Sequence, residues 1–320
     1  MIRHVAALLL MVMCELASAQ AFPARALRIL VPFPPGGGTD VAARALAEHL
    51  GREFSQPVVV DNRPGGNSVI ATEALAKSAP DGHTLLLTTD FHSINAAFGV
   101  PLPYDSLKDF AFVARVSTSP LMLVAHPSAG AKSLAELVAV AKASPGKLSF
   151  ASLGTSSPHH LGFEWWKRLA GVDILDVPYK GGGPALADVL GGQVKLMFIV
   201  AANGIRHARA GKLVALAVTG PQRAAVAPEV PTFAEAGFRE FVLLNWYGIL
   251  VPAGTPRDVI AKLNAAIVAA LNTGAVVERL AGVGVDAAPG TPEQLEAWVH
   301  GDIERYRKIL TLTGARPEGR

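Results

Sequence analysis

The chain has 320 residues, of which 50% are apolar and 17% are charged, and its formal net charge is +3 at pH 7. This apolar content excludes long disordered stretches, and the length suits two domains better than one. The small positive excess, without any dense run of lysine or arginine, argues against a nucleic-acid-binding protein. The single cysteine, Cys14, lies so near the start that a processed chain would form no disulfide and no thiolate metal site.

Residues 1–21 have the composition of a secretory signal peptide. A short basic start with Arg3 precedes an apolar stretch, residues 5–14, which is too short to span a bilayer as a stable helix. Ala19 and Ala21 each close an A-x-A pattern, so two cleavage positions remain open. We therefore expect an exported protein located in the periplasm, whose fold begins directly after this segment.

Strand and helix patterns alternate in the first part of the mature chain. Apolar runs bounded by proline and glycine predict strands at 27–32, 57–60 and 84–89. Apolar residues at helical spacing predict helices at 68–78 and at 40–50, where we expect Gly51 to end the helix. This β-α-β-α-β order predicts a parallel sheet with right-handed crossovers.

The alternation continues to the end of the chain. Further strands are predicted at 121–125, 148–152, 174–177, 194–199 and 213–219, with helices at 134–143, 158–170, 183–190 and 203–210. An extended stretch at 241–252 precedes helices at 256–271, 276–281 and 292–310. This rhythm predicts an α/β fold of two doubly wound lobes with a central cleft. We expect lobe 1 to comprise residues 22–120 and 246–320, and lobe 2 to comprise residues 121–245.

Three consecutive glycines, residues 36–38, separate the first predicted strand from the first predicted helix. Glycine lets a ligand approach the main chain, and a helix start adds unpaired N–H groups and partial positive charge. No Gly-Lys-Ser/Thr follows, and Val41 stands where a dinucleotide fingerprint needs glycine. A small carboxylate is therefore the expected ligand. The candidate contacts here are Phe33, Pro35, Gly36, Gly37, Gly38, Thr39 and Asp40.

Three more loops that follow predicted strands are rich in small, polar or glycine residues. Ligands of open α/β sheets bind beyond the carboxyl ends of the strands, so such loops indicate a ligand cleft. The candidate contacts are Thr88, Thr89, Phe91 and His92, then Thr155, Ser156, Ser157 and His160, and finally Tyr179 and Lys180. Lys180 would counter an anionic ligand, or it is a solvated turn lysine.

Ser156 and Ser157 lie close to His159 and His160, which leaves a secreted serine hydrolase open as an alternative. No Gly-x-Ser-x-Gly pattern surrounds either serine, and a serine at a helix start is more often an N-cap. Adjacent histidines on a helix point about 100° apart, which suits a shared metal ion poorly. The sequence predicts a protein that is not an enzyme and uses neither a cofactor nor a metal.

Two aromatic pairs stand out in the predicted elements. Trp165 and Trp166 lie in an amphipathic helix pattern, and we expect both to pack in the core. Trp246 and Tyr247 lie near the second predicted crossing between the lobes. Their position leaves two interpretations open, since they would either wall the cleft or pack the hinge.

Several motifs in combination give the chain a family resemblance. They are LVPFPPGGGTD at 30–40, VDNRPGGN at 60–67, APDGHTL at 79–85, VPYKG at 177–181, EVPTFAEAG at 229–237, WYG at 246–248 and PAGTP at 252–256. With these motifs, and over residues 22–310, the chain resembles the solute-binding proteins of the tripartite tricarboxylate transporter system, often called Bug proteins.

The resemblance implies a type II periplasmic binding protein fold that closes over a small carboxylate and delivers it to a membrane permease. It implies that the glycine loop forms a carboxylate clamp, with further contacts from residues 88–93 and 155–160 and from the loop around Tyr179. We expect a monomer whose ligand is a dicarboxylate, a tricarboxylate or an aromatic acid such as terephthalate. Delivery of the ligand to a membrane receptor for sensing, in place of transport, stays open as an alternative.

The chain departs from the family pattern at two places. Lys195 stands where members commonly carry aspartate, at a position expected on the surface. Ile199 and Val200 stand where members commonly carry Asp-Asn, at a strand end on the pocket side. The second departure implies a less acidic and more apolar wall, so we expect a ligand with an apolar or aromatic body, a carboxylate and no amine.

Overall fold

The computed structural model describes residues 22–154, 156–179 and 181–316. The predicted signal peptide and the candidate contacts Thr155 and Lys180 lie outside these residues. The first described elements are β1 (Leu27–Val31), α1 (Gly38–Phe54), β2 (Val58–Asn62), α2 (Val69–Ala76), β3 (Thr84–Thr89), α3 (Phe91–Phe98), β4 (Phe110–Ala125), α4 (Leu134–Ala143), β5 (Ser149–Ser152) and α5 (Pro158–Ala170). They are followed by β6 (Leu175–Pro178), α6 (Gly182–Leu190), β7 (Leu196–Val200), α7 (Ala201–Arg209), β8 (Val214–Val218), β9 (Leu244–Pro252), α8 (Arg257–Leu271), α9 (Gly274–Gly282), β10 (Ala287–Gly290) and α10 (Pro292–Thr313).

The predicted parallel arrangement of the first three strands is confirmed. β1 lies between β2 and β3 and runs parallel to both, with Ile29 opposite Val60 on one side and Leu85 on the other. β9 then joins β3 in the antiparallel direction. The full order is β2-β1-β3-β9-β4-β7-β5-β6, and β8 and β10 also pair with β4.

Strand β4 belongs to two parts of the sheet. From Phe110 to Pro120 it pairs with β9, and from Leu121 to Ala125 it pairs with β7 and β8. We call β1, β2, β3, β9, β10 and the first part of β4 the first half-sheet. The second half-sheet consists of β5 to β8 and the last part of β4. The sequence predicted only the last part of β4, because three polar residues and Pro120 interrupt the apolar run.

Helices cover both faces of each half-sheet, so the predicted α/β class with double winding is confirmed. On the first half-sheet, one face packs against α1, α8 and α9 and the other against α2 and α10. On the second half-sheet, α4 and α5 cover one face, and α6 and α7 cover the other. Trp166 is fully buried and Trp165 nearly so, as predicted, and burial of each apolar side chain stabilises the fold by about 1.5–3 kcal/mol.

Two local predictions were wrong. Helix α1 continues through Gly51 to Phe54 and ends at Ser55, which adopts a left-handed conformation with φ of 51°. A glycine inside a helix costs stability, but packing of Leu46 and Leu50 in the core outweighs that cost. Part of the predicted loop 88–93 is helical, since α3 begins at Phe91 and buries Ile94.

The long helix α10 contacts the cores of both halves. Leu295, Val299 and Ile303 pack against the first half-sheet, whereas Tyr306 and Ile309 pack against the second. No single helix in the described ranges is long and apolar enough to cross a membrane, and α8 with α9, bent by 73°, passes that test only as a pair.

Candidate functional site

The strand pairing turns the carboxyl ends of the two half-sheets toward one another. At the end of β3, Thr89 is opposite Tyr247, which is in turn opposite Ser117 on β4. At the end of β7, which is parallel to β5, Val200 is opposite Leu121 on the same strand. The two ends therefore point toward each other along β4. Their positions on that strand, Ser117 and Leu121, are four residues apart, or about 13 Å in an extended strand.

Two sets of loops lie at this junction. The first loop set comprises residues 33–40 and 88–91, and the second loop set comprises residues 152–154, 156–160 and 176–179. Together they contain most of the contacts predicted from the sequence. This placement is what the rule for open α/β sheets predicts, because the loops extend from the carboxyl ends of parallel strands.

The side chain of Asp40 holds the glycine loop in place. Its Oδ2 accepts hydrogen bonds from the backbone N–H of Gly36 at 3.0 Å and from Nε of Arg44 at 2.9 Å. Its Oδ1 accepts from Nδ2 of Asn62 at 3.0 Å, and the same amide donates to the carbonyl of Phe33 at 3.0 Å. The bond from Arg44 lowers the pKa of the nearly buried Asp40 carboxyl, which therefore stays ionised.

The start of helix α1 is left without a cap. Gly37 occupies the N-cap position and has no side chain to accept a hydrogen bond, and the first N–H bonded within the helix is that of Val41, to the carbonyl of Gly37. In the described part of the chain, the N–H groups of Gly38, Thr39 and Asp40 donate to no acceptor. Together with the helix dipole, these groups favour an anion.

The three glycines of this loop differ in the structural constraints that act on them. Gly36 has φ of +93°, a conformation that side chains disfavour. At Gly38, a Cβ would lie 3.0 Å from Oη of Tyr247 and 3.3 Å from a methyl group of Val285. Gly37 has an ordinary φ of −80°, and a Cβ there would meet nothing within 4 Å. Neither backbone strain nor packing requires glycine at position 37, and the missing side chain leaves open space in front of the helix start.

The aromatic rings of Phe33 and Phe91 pack edge to face, with centroids 5.7 Å apart, and both remain partly exposed beside the glycine loop. Other predicted contacts face inward. Thr88 is fully buried, and the hydroxyl of Thr89 accepts from the N–H of Phe91 at 3.4 Å. The pair of rings thus gives the first loop set an apolar wall.

His92 lies in the core, although the sequence suggested a ligand contact. Its ring is fully buried, and Nε2 is 2.8 Å from the carbonyl oxygen of Ser106. Burial lowers its pKa to about 4, so the imidazole is neutral at physiological pH. The ring is not available to a ligand, and we leave it out of the proposed site.

In the second loop set, Ser157 acts as the N-cap of α5. Its hydroxyl donates to the carbonyl of Gly154 at 2.7 Å and accepts from the N–H of His160 at 3.1 Å. Ser156 is buried next to it. The proton of Ser157 is therefore directed at a backbone oxygen, and no hydrogen bond joins it to an imidazole, which a serine nucleophile requires.

The ring of His160 faces a carboxylate that the sequence analysis did not single out. Nδ1 of His160 is 3.2 Å from Oδ2 of Asp176, which also accepts from the hydroxyl of Ser152 at 3.1 Å. Asp176 comes from β6, the strand parallel to β5, so the contact depends on strand pairing and not on sequence spacing. This pair gives the second loop set one carboxylate and one titratable ring.

Tyr179 turns its hydroxyl toward α6, where it donates to Oδ2 of Asp188 at 2.6 Å. Burial and this bond raise the pKa of Tyr179 to about 12. His159 has its own pKa lowered to about 4 by burial, and no group of metal-ligating residues occurs in the described ranges.

The two departures from the family pattern lie in different surroundings. Ile199 is buried against α6 and α7. Val200 lies beside Gly284, and a Cβ added to Gly284 would be 3.2 Å from Cγ1 of Val200. The neighbouring Val285 reaches Gly38 of the first loop set. Residues 284 and 285 thus contact both sides of the junction. Lys195 is only partly exposed and donates to the carbonyl of Gly192 at 2.7 Å.

An α/β fold whose half-sheets turn the carboxyl ends of their strands toward a shared junction is typical of periplasmic solute-binding receptors, and the solved structure of periplasmic binding protein BugD shares it with a TM-score of 0.79 and 31% identity. The sequence profile of the tripartite tricarboxylate transporter family receptor matches residues 42–314, so the chain belongs to this family. The resemblance seen in the motifs is thereby confirmed.

Known relatives agree with this assignment. Protein BugT of Bordetella pertussis is 42% identical over 303 residues, which cover 93% of this chain and 92% of BugT. The solved structure of Rpa4515 from R. palustris with adipate is 32% identical, has a TM-score of 0.82, and covers 93% of this chain and 100% of that chain. MatC (Rpa3494) from Rhodopseudomonas palustris with bound malate is 33% identical, with a TM-score of 0.77 and coverage of 90% and 100%.

Proposed function

We propose that this protein is a non-catalytic receptor that captures a small organic carboxylate between two lobes and delivers it to a membrane permease. The observation that carries the proposal is the uncapped start of α1, with open space at Gly37, facing the second loop set across the junction. The lobes would comprise residues 22–120 with 246–320, and residues 121–245. Ligand contacts made only in the closed form would favour closure.

The ligand would carry one carboxylate on the first loop set and an apolar body beside Phe33 and Phe91. The relatives solved with adipate and malate support a small carboxylic acid. Asp40 and Arg44 neutralise each other, so backbone N–H groups, and not a charged side chain, would bind the carboxylate. On the other side, Val200 offers no carboxylate to an amine, and the carboxylate of Asp176 already accepts from Ser152 and lies 3.2 Å from Nδ1 of His160. We propose an acid with an apolar or aromatic body and no amine, terephthalate included.

The protein would act as a monomer in the periplasm. The predicted signal peptide and membership of a family of transporter receptors support this location. A receptor needs no nucleophile, and the hydrogen bonds of Ser157 agree with a structural role as an N-cap.

The ligand is tested by thermal unfolding with a panel of acids. The panel contains adipate, malate, citrate, terephthalate, benzoate, aspartate and glutamate, because a ligand that binds only the native state raises the unfolding temperature. We expect a shift with at least one acid lacking an amine, and calorimetry then gives its affinity. If none of the seven acids shifts unfolding, the receptor proposal is wrong; tight binding of aspartate or glutamate would refute the amine-free ligand.

A pair of glycine variants tests the site itself. Gly37→Leu should abolish binding of the acid found in the panel while unfolding stays close to that of the parent, because a side chain there meets no protein atom. Gly274→Leu is the matched control, since Gly274 begins α9 and also faces open space. Equal affinities of Gly37→Leu and the parent would place the carboxylate elsewhere.

A further inference from the structure

Tyr247 lies where the carboxyl ends of the first half-sheet meet the junction. It is on β9, directly between Thr89 of β3 and Ser117 of β4. β9 begins at Leu244, close to where the chain passes from one half of the molecule to the other. A side chain at this position belongs to the floor between the two loop sets and not to either rim.

The hydroxyl of Tyr247 reaches the first residue of helix α1. A Cβ on Gly38 would lie only 3.0 Å from Oη of Tyr247. The tyrosine therefore occupies the space that any side chain at position 38 would need, and its hydroxyl stands beside the N–H groups of the uncapped helix start. The neighbouring Trp246 points to the opposite face and donates its indole N–H to Asp302 at 2.9 Å.

The hydroxyl keeps its proton and has no partner for it. Burial, with the nearby carboxyl of Asp90, raises the pKa of Tyr247 above its ordinary value. Within the described ranges, no acceptor takes the hydrogen of this hydroxyl. Tyr179 differs in this respect, because its hydroxyl is bonded to Asp188. Unlike the hydroxyls of Tyr104 and Tyr306, which are sealed in the core, this hydroxyl is open at the junction and can donate to a ligand that binds there.

We propose that Oη of Tyr247 donates a hydrogen bond to the ligand carboxylate that the N–H groups of Gly38, Thr39 and Asp40 bind. This inference rests on the proposed function. A hydrogen bond to an ionised acceptor is stronger than one between neutral groups. The tyrosine would also fix the depth of the ligand, because only a carboxylate seated at the floor of the junction reaches both donors. Acids whose carboxylate is held away from the floor by a bulky neighbouring group would lose this contact.

The test compares Tyr247→Phe with the parent, using adipate as the probe and malate as a second probe. The variant removes only the hydroxyl, so we expect thermal unfolding close to that of the parent and a Kd for adipate about 10- to 100-fold higher. Tyr104→Phe is the matched control. Tyr104 is buried in the core beside Phe110 and belongs to neither loop set, and its variant should bind adipate within about twofold of the parent.

The possible outcomes distinguish failure of the Tyr247 contact from failure of the proposed receptor function. If the parent binds adipate or malate and Tyr247→Phe binds the same acid equally well, the tyrosine contact is wrong and the receptor function stands. If the parent binds neither acid and no acid in the panel, both fail together. A loss of binding in Tyr104→Phe as large as that in Tyr247→Phe would show a general effect of lost hydroxyls and would also overturn the inference.

Discussion

Oδ2 of Asp40 lies 3.0 Å from the backbone nitrogen of Gly36, four residues earlier in the chain. The carboxylate of the first turn of α1 thus bonds back to the loop that precedes the helix. Both of its oxygens are engaged by the protein itself, by Gly36 and Arg44 on one side and by Asn62 on the other. Asp40 was a candidate ligand contact in the sequence, but this geometry supports a role in positioning the loop.

Asp40→Ala should loosen the glycine loop. The change removes three acceptor contacts of a nearly buried carboxylate, so we expect the free energy of unfolding to fall by about 1–3 kcal/mol and the Kd for adipate to rise. Urea unfolding and calorimetry measure the two effects. Glu48→Ala is the control on the same helix, since its ion pairs are exposed and its loss should change stability by less than about 0.5 kcal/mol. An Asp40→Ala protein with unchanged stability and affinity would contradict this role.

Stability should fall as the pH drops below about 6.5, partly because of His92. Its pKa in the folded protein is about 4, below the unfolded value, so the unfolded chain binds a proton that the folded protein refuses. Stability from this group is full above the unfolded pKa and is lost as the pH falls toward 4. By pH 5 the loss is about 2 kcal/mol.

Urea unfolding at pH 7 and pH 5 checks this loss. His92→Gln keeps a side-chain N–H for the carbonyl of Ser106 but does not titrate, so the difference between the two pH values should shrink by that amount. The exposed His300, changed to Gln, should leave the difference as it is in the parent. The explanation fails if His92→Gln and the parent lose the same stability on acidification.

Ser157→Ala should lower stability without removing any catalytic activity. The cap of α5 is worth about 1 kcal/mol, and Ser133→Ala, which removes the equivalent cap of α4, is expected to cost a similar amount. Turnover of a simple nitrophenyl ester should be at the background rate in the parent and in both variants. The hydrolase alternative would regain support if the parent turned over the ester and Ser157→Ala alone did not.

The elements that the sequence predicted well are bounded by local signals. Helix α5 runs over the predicted residues, because Ser157 and Pro158 start it and Gly171 ends it in a left-handed conformation. Strand β3 also has the predicted bounds, since its apolar run lies between two polar turns. Signals of this kind are contained in a few consecutive residues, and they can be read without knowing the fold.

The parts that were missed depend on residues distant in the chain. The first eleven residues of β4 are a strand because β9 pairs with them more than a hundred residues later. In the same way, the glycine loop was predicted from its own residues, but Asn62 and Tyr247 come to it from other strands. The contact between His160 and Asp176 likewise follows from the pairing of β5 with β6. No local pattern announces such partners.

Helix α10 places Ile303 in the core of one half and Tyr306 in the core of the other, less than one turn apart. Because each side chain is packed in a different core, a change of the angle between the halves would bend or twist the helix between these two residues. The hydrogen bonds of the backbone amides between these two residues would therefore depend on the interlobe angle. Their hydrogen exchange would report closure even with a ligand that is spectroscopically silent.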